Sequence, residues 1–204
     1  MNKIIYHKQK VLVVISIVLF IFLFSSFNPS SNDSKDYVLI NKQIQKVKIK
    51  NSNKSITLKE SNSNEFVISV INQLHSYEKV GDQKKLDSFK QEIGITENIK
   101  FNSIFNKKEY PHLISQKNSN SKWNFNKISD ATPHSSLEKK DNKTLFLYLS
   151  KPIYTKDENF ALVYCNNAKT AYIIVFEKVD KVWKEFKIIS PMIINPKAKE
   201  INKG

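Results

Sequence analysis

The hydrophobic and polar positions divide this chain into one long apolar run followed by short patterned segments. Val11 to Phe27, VLVVISIVLFIFLFSSF, is interrupted only by serines. A helix rises about 1.5 Å per residue, and a hydrocarbon core about 30 Å thick takes roughly 20 residues, with roughly 17 at the short end. The run therefore predicts a transmembrane helix. Lys3, Lys8 and Lys10 precede it, and no acid occurs before Asp33. That excess predicts a cytoplasmic N-terminus, with the remainder of the chain across the membrane. A cleaved signal peptide competes with this reading. Its basic start and apolar stretch are present, but cleavage after Ser25, Ser26 or Ser30 would put Leu23, Phe24 or Asn28 where a small residue belongs. The expected organisation is a cytoplasmic stub (1–10), a transmembrane anchor or signal peptide (11–27), a polar linker (28–36), an extracytoplasmic domain (37–200) and a tail (201–204).

Within the domain the period of the pattern changes three times. Gln45, Val47 and Ile49 alternate, as do Ile56 and Leu58, with Asn51-Ser52-Asn53-Lys54 between them; this predicts a β-hairpin. Phe66, Val67, Val70, Ile71, Leu74 and Tyr77 recur at helical spacing. Asn62 and Glu65 resemble a capping box at the start of that helix, and Gly81 is placed to stop it. A second helix is expected from Asp82 to Gly94, with Leu86, Phe89 and Ile93 on one face, and a short third from Ile99 to Phe105. Residues 115–127 read as a surface loop leading to a strand around Trp123 and Phe125. The last third predicts four antiparallel strands, at 145–149, 160–165, 171–178 and 182–189, with Pro191 and Pro196 marking the exit. In the third of these, Tyr172, Ile174 and Phe176 share one face and Ala171, Ile173 and Val175 the other. Both faces are apolar, as in a strand covered on both sides. The expected fold class is α+β: a single N-terminal transmembrane helix, then an ectodomain with two or three helices packed on an antiparallel sheet.

Composition narrows the function classes. The formal net charge is +14, and every one of the 33 basic residues counted as Lys plus Arg is lysine. Arginine supplies the rigid fork that grips phosphates and guanine edges in pairs of hydrogen bonds, so charge without it gives little directional recognition. Nucleic acid is not expected as a partner. The chain holds three glycines, Gly81, Gly94 and Gly204, too few for a phosphate-cradling loop. Its one cysteine, Cys165, has no partner for an internal disulfide.

Candidate chemistry is sparse. The four histidines, His7, His75, His112 and His134, lack the i,i+4 spacing that would put two imidazoles on one helix face, and no metal or cofactor site is expected. His75 reads as a boundary residue of its helix, and His112 and His134, each after a proline, as loop residues. Cys165 on a strand reads as a small apolar side chain rather than a nucleophile. Ser150 precedes Lys151-Pro152 and reads as a turn former; without flanking glycines it is no nucleophile elbow. Asp141, Asp157 and Glu158 fall in expected turns. Trp123 and Trp183 are expected to pack in the core, with a carbohydrate or peptide platform as the alternative role. No catalytic, cofactor-binding or metal-ligating residue is assigned.

Ser150-Lys151-Pro152-Ile153-Tyr154, Ala161-Leu162-Val163, Val175-Phe176-Glu177-Lys178 and Trp183-Lys184 form a block. It resembles the C-terminal block of uncharacterised exported or membrane-anchored bacterial proteins. The resemblance covers about a quarter of the chain, and it departs at Asn166-Asn167-Ala168-Lys169, where that group often carries glycines. It implies an extracytoplasmic address and no particular activity. The resulting expectation is a non-enzymatic binding or accessory module of the cell envelope. It would be held to the membrane through residues 11–27 and would face a protein or an envelope polymer. Two alternatives are an exported hydrolase-type enzyme with dispersed site residues and a small-ligand-binding, cone-shaped domain like that of nuclear transport factors. A pocket holding two or more of Asp130, His112, His134, Glu138 and Ser150 would favour the enzyme; a flat aromatic patch near Trp123 would favour binding.

Overall fold

The structure, a computed structural model, describes residues 31–95, 99–118, 121–134, 143–167 and 170–189. The chain divides into two units, 1–36 and 37–204, and the architecture below is that of the second. Helix α1 (Ser31–Lys50) is followed by strand β1 (Ser55–Lys59). Four helices come next: α2 (Glu65–Lys79), α3 (Gln83–Glu92), α4 (Ile99–Ile104) and α5 (Tyr110–Ser115). A 3-10 turn at Phe125–Lys127 leads to β2 (Thr132–His134), β3 (Thr144–Leu149), β4 (Ile153–Tyr154), β5 (Phe160–Asn166), β6 (Ala171–Val179) and β7 (Val182–Ile189).

Two expectations are corrected here. Among the described residues no helix is long and apolar enough to cross a membrane, so the described fold contains no membrane-spanning helix. Residues 11–27, which carried that expectation, lie outside the described residues. The 20-residue α1 reaches the length of a span but carries Lys42, Lys46, Lys48 and Lys50 along its second half, a density of charge that hydrocarbon does not accept. The segment read as a linker is already helical from Ser31. The second correction concerns the sheet, which is mixed rather than antiparallel. Its order is β2-β1-β3-β5-β6-β7, with β4 also on β5. β1 runs parallel to both β2 and β3, whereas β3–β5, β4–β5, β5–β6 and β6–β7 are antiparallel. Four helices intervene between β1 and its two neighbours, a connection long enough for the chain to re-enter the sheet in the same direction.

The expected hairpin at 45–58 is half helix. Leu39, Ile40, Gln43, Ile44 and Val47 are buried, a spacing of one, three, one and three residues that marks a single helical face. Val38 and Ile49 are 55% and 73% exposed. Outward Ile49, two residues after buried Val47, gave the alternation that read as a strand. Helix α2 begins after Asn64, which makes no side-chain cap, so the expected capping box does not form; Asn62 is buried in a loop contact instead. The helix stops where Gly81 takes a φ of +70° and Asp82 donates its amide back to the Tyr77 carbonyl. Asp82 then caps α3, its Oδ1 accepting from the Lys85 amide at 3.1 Å.

The apolar side chains form two clusters on opposite faces of the sheet. One joins Leu39, Ile40, Ile44 and Val47 of α1 to Ile56, Leu58, Leu147, Leu149, Val163, Ile174 and Phe176. The other joins α2 to α5 with Ile153, Phe160, Leu162, Ile173, Val175 and Ile189. The two apolar faces of β6 thus serve two different layers. Lys42 of α1 also donates to the Trp183 carbonyl at 2.5 Å, and Lys46 pairs with Glu185. The sheet residues in the second cluster come from β4, β5, β6 and β7 alone. Helices α2 to α5 therefore cover only one half of their face, and the half built from β2, β1 and β3 lies beside them.

Candidate functional site

Strand alternation turns every second residue toward that uncovered half face. In β3, Leu145, Leu147 and Leu149 pack on the α1 side, so Phe146 and Tyr148 point the other way. Lys59 of β1 is the direct partner of His134 of β2. Leu58 pairs with Leu147, which brings the next residues, Lys59 and Tyr148, side by side. Tyr148 in turn faces Asn166 of β5. His134, Lys59, Tyr148 and Asn166 therefore form a row across four adjacent strands, at the carboxyl ends of the three parallel ones. Such strand ends are where open sheets with parallel strands place ligands.

These four residues line a groove of about 630 Å³, together with Tyr164 and Phe146 of the floor, Ser61 and Ser63 of the β1–α2 connection, and Glu65 and Phe66 at the start of α2. The Phe66 and Tyr164 ring centroids are 4.4 Å apart, and Tyr148 meets Tyr164 edge to face at 5.6 Å. At the far end His134 meets Phe146 at 4.7 Å. The Lys59 ammonium lies 5.5 Å above the Tyr148 ring.

The polar groups are held by the backbone. Tyr148 donates its hydroxyl to the Ser63 carbonyl. Burial, with the neighbouring Tyr164, pushes its phenol up to about 12, so it keeps its proton at neutral pH. The Tyr164 hydroxyl accepts from Asn166 Nδ2 at 3.2 Å, leaving its hydrogen to donate. Ser63 Oγ accepts the Glu65 amide at 3.3 Å. The Glu65 carboxylate sits 3.8 Å from the Lys117 ammonium.

The connection that forms the rim is anchored from behind. Asn62 Oδ1 accepts from Ser121 Oγ and Asn118 Nδ2. Asn64 donates to the Gln116 carbonyl at 2.9 Å and accepts the Asn118 amide at 2.7 Å. The Lys151 amide donates to the Asn62 carbonyl at 2.7 Å. Buried amides that bond in both senses fix the loop path.

Of the candidate chemical residues named from the sequence, His134 is the one among the described residues that lines the groove. It ends β2 and is not a loop residue; Pro133 is tolerated because β2 is an edge strand. His112 lies on α5, and His75 places its ring 5.4 Å from Tyr110. Asp130 pairs with Lys48. Ser150 is fully buried. Cys165 is also fully buried, and burial pushes its thiol up to about 11, against weaker lowering by Tyr172 and Gln43. Trp123 is 6% exposed and donates its indole N–H to the Leu149 carbonyl at 3.2 Å; Trp183 is 6% exposed in the same cluster. Neither forms a surface platform. Asp157 and Glu158 occupy the β4–β5 turn, while His7, Glu138 and Asp141 lie outside the described residues. Among the described residues no group of three or more His, Cys, Asp or Glu is placed to hold a metal ion.

Sequence reading missed Lys59, Phe66, Tyr148, Tyr164 and Asn166. A signal was present. Phe146-Tyr148 and Tyr164-Asn166 alternate with aliphatic residues on strands whose other face is wholly apolar, which sets one aromatic and polar face apart.

Fold and groove together define an α+β domain with a mixed sheet, packed by α1 on one face and half covered by helices on the other. No protein-family model, curated protein or solved structure matches the chain.

Proposed function

We propose that this chain is a binding module rather than an enzyme, and that the groove beside α2 is its ligand site. The observation that carries the reading is the row His134, Lys59, Tyr148 and Asn166, which lines a concave surface floored by aromatic rings. Its volume of about 630 Å³ falls within the roughly 300–1,000 Å³ typical of small-ligand pockets. The Tyr148 hydroxyl in it argues for holding rather than reacting. Tyr148 is tied to a carbonyl and retains its proton. A nucleophile needs a base within hydrogen-bond reach. Nucleic acid stays outside the proposal because the chain contains no arginine.

A fragment screen by amide-resolved NMR tests the reading. Hits should shift the amides of Lys59, Tyr148, Tyr164 and Asn166 together, and the Tyr164→Ala variant should lose those shifts while keeping the remaining spectrum. Fragments that gather elsewhere on the domain and leave these four amides unmoved would refute it.

A further inference from the structure

Resting on that reading of the groove, we propose that its ligand is a ring-bearing monoanion: a small aromatic acid whose ring lies on Tyr164 and Phe66 and whose acid group meets the Lys59 ammonium. Three tilted or perpendicular rings can also make a cage for a cation. Here that role is already filled, because Lys59 holds its own ammonium 5.5 Å over the Tyr148 ring. A cationic ligand would have to expel Lys59 and would meet a like charge. The carboxylate that lines the groove among the described residues, Glu65, stands on the exposed rim with the Lys117 ammonium 3.8 Å away. Lys59 therefore brings a positive charge to the groove with an aromatic ring, and no carboxylate, as its described contact.

The remaining donors converge on the same place. The Tyr164 hydroxyl accepts from Asn166 and has its hydrogen to give. It stands on the same sheet face as Tyr148, the ring under Lys59. A ring laid against Tyr164 can take the kind of tilted contact that Phe66 already makes at 4.4 Å. Its carboxylate, one or two bonds away, then lies between the Tyr164 hydroxyl and the Lys59 ammonium. The groove thus distinguishes ligands twice, by ring and by charge.

Three probes separate these two selections: phenylacetate, its uncharged analogue phenylacetamide, and cyclohexylacetate, which keeps the charge and loses the aromatic ring. Titrations are followed by the amide shifts of Lys59, Tyr148, Tyr164 and Asn166 in the full-length protein. Phenylacetate should bind about five-fold more tightly than phenylacetamide, the range of a partly exposed ion pair, and the gap should shrink in high salt. Lys59→Gln should abolish that gap, Lys59→Arg should retain it, and both variants should keep the parent spectrum outside the groove. Cyclohexylacetate should bind more weakly than phenylacetate. Equal affinities for acid and amide at the groove would overturn the anionic ligand and leave the binding-module reading standing. Equal affinities for phenylacetate and cyclohexylacetate would overturn the aromatic one. Failure of all three probes to move these amides, while other fragments move them, sinks this ligand class alone. If no compound moves them, both proposals fall together.

Discussion

Ser150 accepts the backbone amide of Tyr164 on its hydroxyl oxygen at 2.9 Å, and this bond holds open a break in the sheet. Leu149 pairs with Cys165, and Ile153 pairs with Leu162. Between these pairs one chain spends three residues and the other two. The extra residue makes a bulge at Ser150-Lys151-Pro152. Ser150 fills the gap in the ladder, and Lys151 turns its amide to Asn62 on the groove rim. The bulge thereby sets the Tyr164 ring against Phe66 at the start of α2.

Ser150→Ala removes the acceptor and leaves a buried amide unsatisfied. The expected loss is about 1–3 kcal/mol of stability, measured as a lower urea midpoint. The same variant should shift the Tyr164 and Asn62 amides, because both hang on the bulge. A variant as stable as the parent, with those amides unmoved, would show that the hydroxyl has no such part.

The bulge also shows how far a sequence of this kind can be read. Strands β3, β5, β6 and β7 were legible because each keeps period-two alternation between clear turns, and α2 and α3 because each keeps an apolar stripe. Helix α1 was not, because exposed Ile49 alternates with Val47 and masked the stripe of Leu39, Ile40, Ile44 and Val47. The parallel pairing of β1 with β3 joins residues nearly ninety apart, and no local pattern encodes it. The groove depends on that pairing. Lys59, Tyr148 and Asn166 are ordinary surface-strand residues until three strands bring them into one row.

The buried Cys165 gives a kinetic prediction. Its thiol is fully buried, and burial raises it to about 11, so at pH 8 it is neither accessible nor ionised. Iodoacetamide should label the native protein at least about 100-fold more slowly than the urea-unfolded chain, with labelling gated by opening of the structure. Labelling of the folded protein at the rate of a free thiol would contradict the burial of the β5 face against α1.

The β4–β5 turn carries a pH dependence through Asp157. Burial pushes its carboxyl up, but the Thr155 hydroxyl at 2.6 Å, the Asn159 amide at 3.1 Å and Asn159 Nδ2 at 2.7 Å all donate to it. The net direction is below the ordinary Asp range. A carboxyl lowered on folding stabilises the fold above its unfolded value, about 3.9, and loses that contribution as pH falls through the lower folded value. The stability difference between the parent and Asp157→Asn should therefore be greatest near pH 7 and should narrow below about pH 4. Urea midpoints of both proteins at neutral and acid pH measure it; a gap that stays constant would remove Asp157 from the acid limb.

Tyr110 offers the opposite sign. Its side chain is fully buried between α2 and α5, and its hydroxyl has no hydrogen-bond partner among the described residues. Burial, and then the nearby Glu78 carboxylate, push the phenol upward, so it is neutral at neutral pH. The ring packs in the cluster with Leu113 and Ile71 and meets His75 at 5.4 Å, contacts that phenylalanine keeps. What phenylalanine removes is one buried hydroxyl whose bonds to water were lost on folding and not replaced. An unsatisfied polar group of this kind costs about 1–3 kcal/mol, part of which relaxation recovers. Tyr110→Phe should therefore raise stability by about 1 kcal/mol, read as a higher urea midpoint at unchanged slope. Tyr110→Leu controls for the ring and should destabilise, because it leaves a void where the aromatic packed. A loss of stability in Tyr110→Phe would mean that the hydroxyl bonds to a group beyond the described residues.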